Sequence, residues 1–445
     1  MKEQTIYALS TVFGKSGVAV FRISGNEALQ VINKMTGLKN PTPRYAHFTT
    51  LSEVKTKQPL DKVLLIYFQA PNSFTGEDVV EIHSHGSKAV IAGIFENLSK
   101  IENFRLAEPG EFSKRAFYNN KMDLTEAEGL ADLIDAETKE QQKYALRQIE
   151  GELKNLYEAW REELVKTLAH LEAYIDFPDE ELPENVITDL ENTVFKIAES
   201  IKKHLSQSTY GERLREGFRV VILGEPNAGK SSLLNTLAKR EAVIISDIAG
   251  TTRDAIDVHM DIAGYPVIFT DTAGLRETEE IIEQKGIKIA HNKAKDADLI
   301  IALADGQSLN LKHFADIEKE CGDKLIYVIN KADKLETEEI KKLEDKGYLV
   351  ISAKQQTNIE NLLGFIKTHI SEQFTANSSA LITRSRYREI LNDVFKDLSG
   401  FNLDKSIELS AEDVRLAARG IGKITGRIEI NEILDKIFSS FCIGK

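Results

Sequence analysis

The stretch Gly224-Glu225-Pro226-Asn227-Ala228-Gly229-Lys230-Ser231 fits the pattern G-x-x-x-x-G-K-[ST]. A mostly apolar run, Phe218 to Leu223, precedes it and reads as a strand, and Ser232 to Leu237 follows as the start of a helix. Strand, glycine loop and helix in that order are what a phosphate-binding loop requires. The two glycines let the backbone curl so that successive N–H groups face one anion, and the helix N-terminus adds partial positive charge. Lys230 supplies a full charge to the β- and γ-phosphates, and the Ser231 hydroxyl can ligate Mg²⁺.

Three later stretches complete a set. Asp271-Thr272-Ala273-Gly274 follows the apolar Pro266–Phe269. An Asp at a strand end can hold Mg²⁺ through water, and Gly274 can give its N–H to a γ-phosphate. Asn330-Lys331-Ala332-Asp333 follows Leu325–Ile329. Its Asp carboxylate can accept from guanine N1 and N2, a pair adenine lacks, so GTP is the expected substrate. Ser352-Ala353-Lys354 follows Tyr348–Ile351 and suits the guanine carbonyl. Order and spacing resemble the translation-factor class of GTPases. Leu275 stands where Ras-like switches carry a water-orienting Gln, so the attacking water must be held otherwise. Asn227 in the loop, followed by Gly250-Thr251-Thr252-Arg253-Asp254, resembles the potassium-activated GTPases, with Thr252 as second Mg²⁺ ligand; Asn227 also reads as a plain solvated loop residue.

These motifs need a scaffold, and composition bounds it. The chain has 445 residues, enough for two to four domains. Charged residues at 29% and hydrophobic residues at 42% describe an ordinary globular chain. A net charge of -13 excludes a general polyanion binder, so any nucleic-acid contact is a local basic patch or comes through a partner. Two cysteines, Cys321 and Cys442, argue against a disulfide scaffold and for a reducing compartment. No run has the length of a membrane span, and the N-terminus has no signal-peptide character, so a cytoplasmic protein is expected.

Residues 1–118 mix strands, turns and helices in an α+β pattern: strands over 17–25, 63–68 and 79–86, helices over 26–35 and 88–100. His83 and His85 share one strand face and lack an evident third metal ligand. From 119 to 210 the pattern is helical. Leu124, Ala127, Leu130, Leu133 and Ile134 form one face, and a long amphipathic helix runs from Ile149 to Ile175, broken by Pro178 and Pro183. A further helix carries Ile187 to Leu205. The nucleotide-binding unit spans 211–375, and a second helical half spans 376–445: periodicity resumes from Arg384, breaks at Leu398-Ser399-Gly400, then runs through Leu409, Val414, Leu416 and Ala417 to Gly420-Ile421-Gly422, with a last helix over 428–438. Either the nucleotide unit is inserted into one helical domain or two helical domains flank it.

At this point the chain resembles the MnmE (TrmE) family. The resemblance rests on Phe21-Arg22-Ile23-Ser24-Gly25, Asn72 to Asp78, Ala107 to Phe112, the nucleotide motifs and the terminal Phe441-Cys442-Ile443-Gly444-Lys445. It implies a multidomain fold: an N-terminal α+β folate-binding domain that dimerises, a helical domain in two sequence halves, and an inserted Ras-like P-loop GTPase domain. It implies a 5-formyl- or methylene-tetrahydrofolate site at Arg22, Glu81, Lys121 and Lys445. It implies K⁺ ligation by Asn227, Ser246, Ile248 and Thr251 in a switch loop that runs Ser246-Asp247-Ile248-Ala249-Gly250-Thr251-Thr252, and Glu283 as the carboxylate that orients water in place of a residue at Leu275. Cys442 reads as a thiol nucleophile or acid/base, and equally as a small buried hydrophobe. The implied activity is GTP hydrolysis serving C5 modification of the wobble uridine of certain tRNAs, with a flavoprotein partner, MnmG (GidA), that carries FAD, in a heterotetramer. A regulatory GTPase switch in ribosome assembly or stress response is the rival, and the absence of a Lys/Arg-rich segment counts against it.

Overall fold

The structure is a computed structural model that describes residues 4–176, 184–240, 242–243, 257–271, 293–375, 380–403, 406–428, 431–442 and 444. The chain divides into two compact units. The first gathers Met1–Ala131, Ile149–Arg161 and Ile421–Lys445, and the second gathers Asp132–Gln148 and Glu162–Gly420.

The first unit is built on a six-stranded sheet of β1 (Thr5–Leu9), β2 (Ser16–Ser24), β3 (Ala46–Ser52), β4 (Pro59–Phe68), β5 (Val79–Gly86) and β6 (Phe104–Leu106), in the order β3-β4-β5-β2-β1-β6. All pairings are antiparallel except β1 with β6. Side chains alternate across a strand, so Phe21 and Ile23 on β2 and Val80 and Ile82 on β5 share one face. That face packs on α1 (Leu29–Met35) and α2 (Lys88–Leu98) through Val31, Ile32, Ile91, Ile94 and Leu98. The opposite face carries Arg22 and Glu81, directly opposed in register, and is covered by Phe112 of α3 (Glu111–Tyr118) and by Phe74.

Four helices follow: α4 (Leu124–Asp135), α5 (Lys139–Ile149), α6 (Glu152–Asp176) and α7 (Glu184–Leu205). The long helix expected from Ile149 starts instead at Glu152; Ile149 ends α5, and Gly151, at a φ of +86°, turns the chain between them. The face read from sequence is the buried one, with Leu153, Trp160, Leu164 and Leu171, joined by Tyr157 and Thr167. Pro178 and Pro183 lie outside the described residues.

The second unit centres on a seven-stranded sheet. After α8 (Ser208–Glu216) come β7 (Phe218–Leu223), α9 (Lys230–Arg240), β8 (Ala242–Val243), β9 (Asp257–Ile262), β10 (Tyr265–Asp271), β11 (Leu299–Asp305), α10 (Ala315–Cys321), β12 (Leu325–Asn330), α11 (Thr337–Glu344), β13 (Leu349–Val350) and α12 (Ile359–Thr375). The sheet order is β13-β12-β11-β7-β10-β9-β8; β7, β10, β11, β12 and β13 run parallel, and β9 and β8 are antiparallel additions. β7 is apolar on both faces because both are covered: Val220 and Ile222 face one cluster, Val221 and Leu223 another. The strand order reverses beside β7, and a doubly wound sheet opens a crevice at the carboxyl ends of its strands there.

The chain then returns to helices α13 (Ser385–Gly400), α14 (Ile407–Thr425) and α15 (Asn431–Ser439). The nucleotide fold is thus inserted between two helical stretches. The helix that leads to Gly420-Ile421-Gly422 runs on through them, and both glycines lie inside α14. Gly420 serves contact: a Cβ there would stand 2.5 Å from Cγ2 of Val394. α4 and α5 hold both passages into and out of the inserted fold. Asp132 Oδ1 accepts from Arg215 Nε at 3.0 Å and Arg384 Nη2 at 2.8 Å. The Tyr144 hydroxyl accepts from the Leu381 N–H at 2.7 Å and donates to the Leu381 carbonyl. Among the described residues no helix is long and apolar enough to cross a membrane.

Candidate functional site

The loop between β7 and α9 is shaped by its own backbone. Gly229 has a φ of +99°, and a Cβ there would overlap Asn330 Nδ2. Asn227 is left-handed at +68°, which Asn tolerates better than most side chains. Lys230, 8% exposed, donates from Nζ to the carbonyls of Gly224 (2.6 Å) and Glu225 (3.0 Å), which fixes its ammonium at the loop's mouth. Ser231 and Ser232 follow on the first turn of α9. Glu225 is braced from outside the loop, accepting from Asn310 Nδ2 at 3.1 Å and His313 Nε2 at 2.8 Å.

Asn330 joins this loop to the next two motifs. It is 3% exposed; its Nδ2 donates to the Ala228 carbonyl at 2.8 Å, and its Oδ1 accepts from the Ala353 N–H at 3.0 Å. Lys331 takes a left-handed φ of +66° and pairs with Asp305 at the end of β11 at 2.6 Å. Burial pushes the Asp305 carboxyl up, but the Lys331 and Gln307 hydrogen bonds outweigh it and hold it below its usual range. Ala332 N–H donates to the Ile351 carbonyl, setting the turn. The Ser352 hydroxyl donates to Asp333 Oδ1 at 2.5 Å, the main reason that carboxyl lies below its usual range.

A cavity of about 780 Å³ brings these together: Asn227, Gly229, Lys230, Ser231, Ser232, Asn330, Lys331, Asp333, Ala353 and Lys354 all line it. Lys239 and Lys334 join Lys230, Lys331 and Lys354, and among the described residues Asp333 is the one carboxylate of the lining. Such a donor set suits a polyphosphate at one end and a ring with paired N–H groups at the other. Asn235, Thr236, Lys239, Lys334 and Gln356 were not singled out from sequence. The spacing signal was present for the first three: Asn235 and Thr236 lie four residues after Ser231 and Ser232, and Lys239 four after Asn235, on one face of α9. Asp271 ends β10, its backbone paired in register with Ile222 of β7. Thr272, Ala273, Gly274, Glu283 and the switch stretch Ser246, Asp247, Ile248, Ala249, Gly250, Thr251 and Thr252 lie outside the described residues.

The first unit holds the other predicted residues. Arg22 donates from Nε (3.1 Å) and Nη2 (3.0 Å) to Glu81 Oε1. Its guanidinium lies 5.1 Å from the Phe74 ring centre and 5.9 Å from that of Phe112, a planar cation held between two aromatics. His83 pairs with Glu81 (3.4 Å) and His85 with Asp61 (2.8 Å), so each histidine has its own carboxylate; among the described residues no cluster of metal-ligating side chains forms. Lys121 lies against the 72–78 loop, where a Cβ on Gly76 would come 3.4 Å from its Cγ. Behind this stands a buried ionic network unread from sequence: Arg115 pairs with Glu77 (3.1 Å) and Glu111 (3.0 Å), and Arg105 with Glu111 (2.6 Å). Burial raises the Glu111 carboxyl, but hydrogen bonds from Arg105, the Glu108 N–H and Arg115 bring it below its usual range.

The chain's last residues return to the first strand. The Ser10 hydroxyl donates to the Gly444 carbonyl at 3.1 Å, and the Gly110 N–H lies 3.5 Å from the Cys442 carbonyl. Gly444 has a φ of +99°, and a Cβ there would stand 2.7 Å from the Leu9 carbonyl oxygen. Leu9 pairs with Phe21, the neighbour of Arg22, so the tail reaches the Arg22 region of the sheet. Cys442 is exposed, which removes the buried-hydrophobe reading. Lys445 lies outside the described residues.

The family profile described as the MnmE helical domain matches residues 124–442, and that of the GTP-binding protein TrmE N-terminus matches 5–121. The chain is similar to a tRNA modification GTPase MnmE of Rickettsia akari (strain Hartford), 46% identical over 444 residues, 99% of this chain and 100% of the relative. That of Rickettsia rickettsii (strain Sheila Smith) is 47% identical over the same spans. The solved G domain of the T. maritima FeoB iron transporter matches 35% of this chain and 98% of its own at 25% identity, with a TM-score of 0.24. Full-length identity at this level, with both family profiles, carries the assignment: the chain belongs to the MnmE family of tRNA modification GTPases.

Proposed function

We propose that this chain is the GTP-hydrolysing component of a complex that modifies C5 of the wobble uridine in certain tRNAs, adding an aminomethyl or carboxymethylaminomethyl group from a folate one-carbon unit. One observation carries the reading. A cavity whose lysines and Asp333 suit a guanine nucleotide occurs in one chain with an Arg22–Glu81 pair between aromatics, near which the distant C-terminal tail docks. Residues 1–118 form the folate and dimerisation domain, 119–210 and 376–445 the two helical halves, and 211–375 the GTPase domain. Exposed Val12, Phe13, Val18 and Phe48 in the first unit support a homodimer. Its partner is the FAD-carrying flavoprotein MnmG, in the cytoplasm.

Within the GTPase domain, Lys230 and the N–H groups around Gly229 hold the β- and γ-phosphates, and Asp333, kept ionised by Ser352, receives the guanine N–H pair. Mg²⁺ would be held by Ser231 and Thr252, and K⁺ by Asn227, Ser246, Ile248 and Thr251; when bound they neutralise charge on the phosphates. Glu283 orients the attacking water. In the first unit Arg22, Glu81, Lys121 and Lys445 would hold a tetrahydrofolate, which when bound would supply the one-carbon unit, and the Cys442 thiol would serve as nucleophile or acid/base. The decisive experiment is mass spectrometry of wobble nucleosides in tRNA from cells lacking the chain. Loss of C5-modified uridines, restored by the intact chain and not by Asp271→Ala, supports the reading. An unchanged profile sinks it and promotes a regulatory switch. Hydrolysis in K⁺ should far exceed that in Na⁺, and Asn227→Ala should erase the difference.

A further inference from the structure

A second cavity, of about 520 Å³, lies within the first unit between the end of α3, the start of α6 and the end of α14. Arg22, Glu81 and Lys121 do not line it. Its walls have three chemical characters. One is aromatic: Tyr118, 46% exposed, is backed by Phe117 with ring centres 5.6 Å apart, and the Tyr118 hydroxyl has no hydrogen-bond partner among the described residues. The second is cationic. Glu158 Oε1 accepts from Thr425 Oγ1 at 3.1 Å and from Arg427 Nε at 3.0 Å. That steers the guanidinium to the wall while its two terminal nitrogens have no partner among the described residues. Lys154, held by Glu126 at 3.0 Å, stands on the same wall. The third is an acceptor without a donor. Asp123 Oδ1 is used by the Thr125 hydroxyl (2.9 Å) and the Glu126 N–H (2.8 Å), but its Oδ2 is buried with no partner. Burial holds this carboxyl at about 6.

A simple anion would satisfy Arg427 and leave the ring and the Asp123 oxygen unmet. A cation would face Arg427 and Lys154. A nucleotide meets the ring and the cations directly, with a base face on Tyr118 and a phosphate on Arg427, and a turn of the Asp123 carboxylate out of its buried position would let Oδ2 accept a base N–H or ribose O–H. The volume falls within the roughly 300–1,000 Å³ of ordinary ligand pockets. We infer that this cavity receives one nucleotide unit of single-stranded RNA, a reading that rests on the chain acting on tRNA. In a chain of net charge -13 the contact is local, as the composition requires.

The test uses the full chain and a short 5′-fluorescein-labelled single-stranded oligoribonucleotide, with anisotropy titrations over a range of salt. Arg427→Ala should bind about tenfold more weakly and lower the salt slope by about 0.7, the value for one phosphate contact on a single strand. Tyr118→Ala should also lose about tenfold, with the slope unchanged, and Tyr118→Phe should bind as the parent does. GTP hydrolysis should stay at the parent rate in all three, which reports an intact fold. Parent-like binding by both Arg427→Ala and Tyr118→Ala overturns the inference, and so does a parent chain that does not bind the probe. If 5-formyl-tetrahydrofolate displaces the probe and the same variants lose folate, the pocket belongs to folate and the inference also falls. Whether the chain acts on tRNA at all is read separately, from the wobble nucleosides.

Discussion

Replacing Asn330 by alanine should open the nucleotide site from the inside. The native side chain gives one hydrogen bond to the Ala228 carbonyl and takes one from the Ala353 N–H, and Ala228 and Ala353 are 1% and 3% exposed. Truncation orphans a buried acceptor and a buried donor at once. Each costs roughly 1–3 kcal/mol; water entering the vacated space recovers part, leaving about 2–4 kcal/mol for the pair. At about 1.4 kcal/mol per decade, local opening rises about 30- to 700-fold. Native-state hydrogen exchange by mass spectrometry reads this directly, in peptides covering 228–235 and 350–356. Asn330→Asp separates the two bonds. A carboxylate still accepts from Ala353 N–H but offers nothing to the Ala228 carbonyl, so protection should fall in 228–235 and persist in 350–356. Peptides from the β2–β5 region serve as the control for global destabilisation. Exchange within about threefold of the parent in both segments, with GDP affinity unchanged, would refute the view that Asn330 ties the phosphate loop to the base-side loops.

Three other outcomes follow from the same geometry. Gly444→Ala forces a Cβ toward the Leu9 carbonyl at an unfavourable φ, so the tail should leave β1 and calorimetric affinity for 5-formyl-tetrahydrofolate should drop at least about tenfold, with GTP hydrolysis by the variant as the control. Arg22→Lys should lose nearly as much folate affinity as Arg22→Ala, because an ammonium reproduces neither the paired Nε and Nη2 bonds to Glu81 nor the stacking between Phe74 and Phe112; full retention by the lysine variant would contradict this. Desolvation lowers His204 from 6.5 to about 4. Its unfolded form therefore takes up the proton first as pH falls, so stability is full above about 6.5 and declines by about 3 kcal/mol toward pH 4. His204→Gln should flatten that part of a denaturation-versus-pH profile, and an unaltered slope would show that other groups set it.

Much of the nucleotide fold was legible because its signals are local. Strand, glycine loop and helix adjoin in sequence, and each later motif sits at the end of an apolar run that became β10, β12 or β13. The first unit was harder to read. β1 is a five-residue strand, and β3 has mostly exposed or half-buried side chains, so neither carries a hydrophobic pattern strong enough to mark it. Glycines inside α14 were not legible as contact residues: at Gly420 the missing side chain leaves the space that Val394 of α13 occupies. The Arg115–Glu77–Glu111 network depends on residues brought together from separate segments, and no spacing rule announces such a meeting. For the same reason Arg22 and Glu81 were marked by resemblance alone, although the register of β2 and β5 makes them neighbours.

One carboxylate oxygen of Asp132 receives both Arg215 and Arg384, although a whole nucleotide-binding fold separates them in sequence. A guest whose two ends lie side by side asks little of its host: a short bridge in its place would close the same gap, and chain-closure entropy grows only slowly with the length of what is inserted. The helical scaffold and the nucleotide fold thereby meet at a port where both passages of the chain close on one carboxylate and one tyrosine. Any compact fold with adjacent termini, given arginines at its two ends, meets the geometric requirement of that port, so the junction offers itself for grafting a different switch onto the same host.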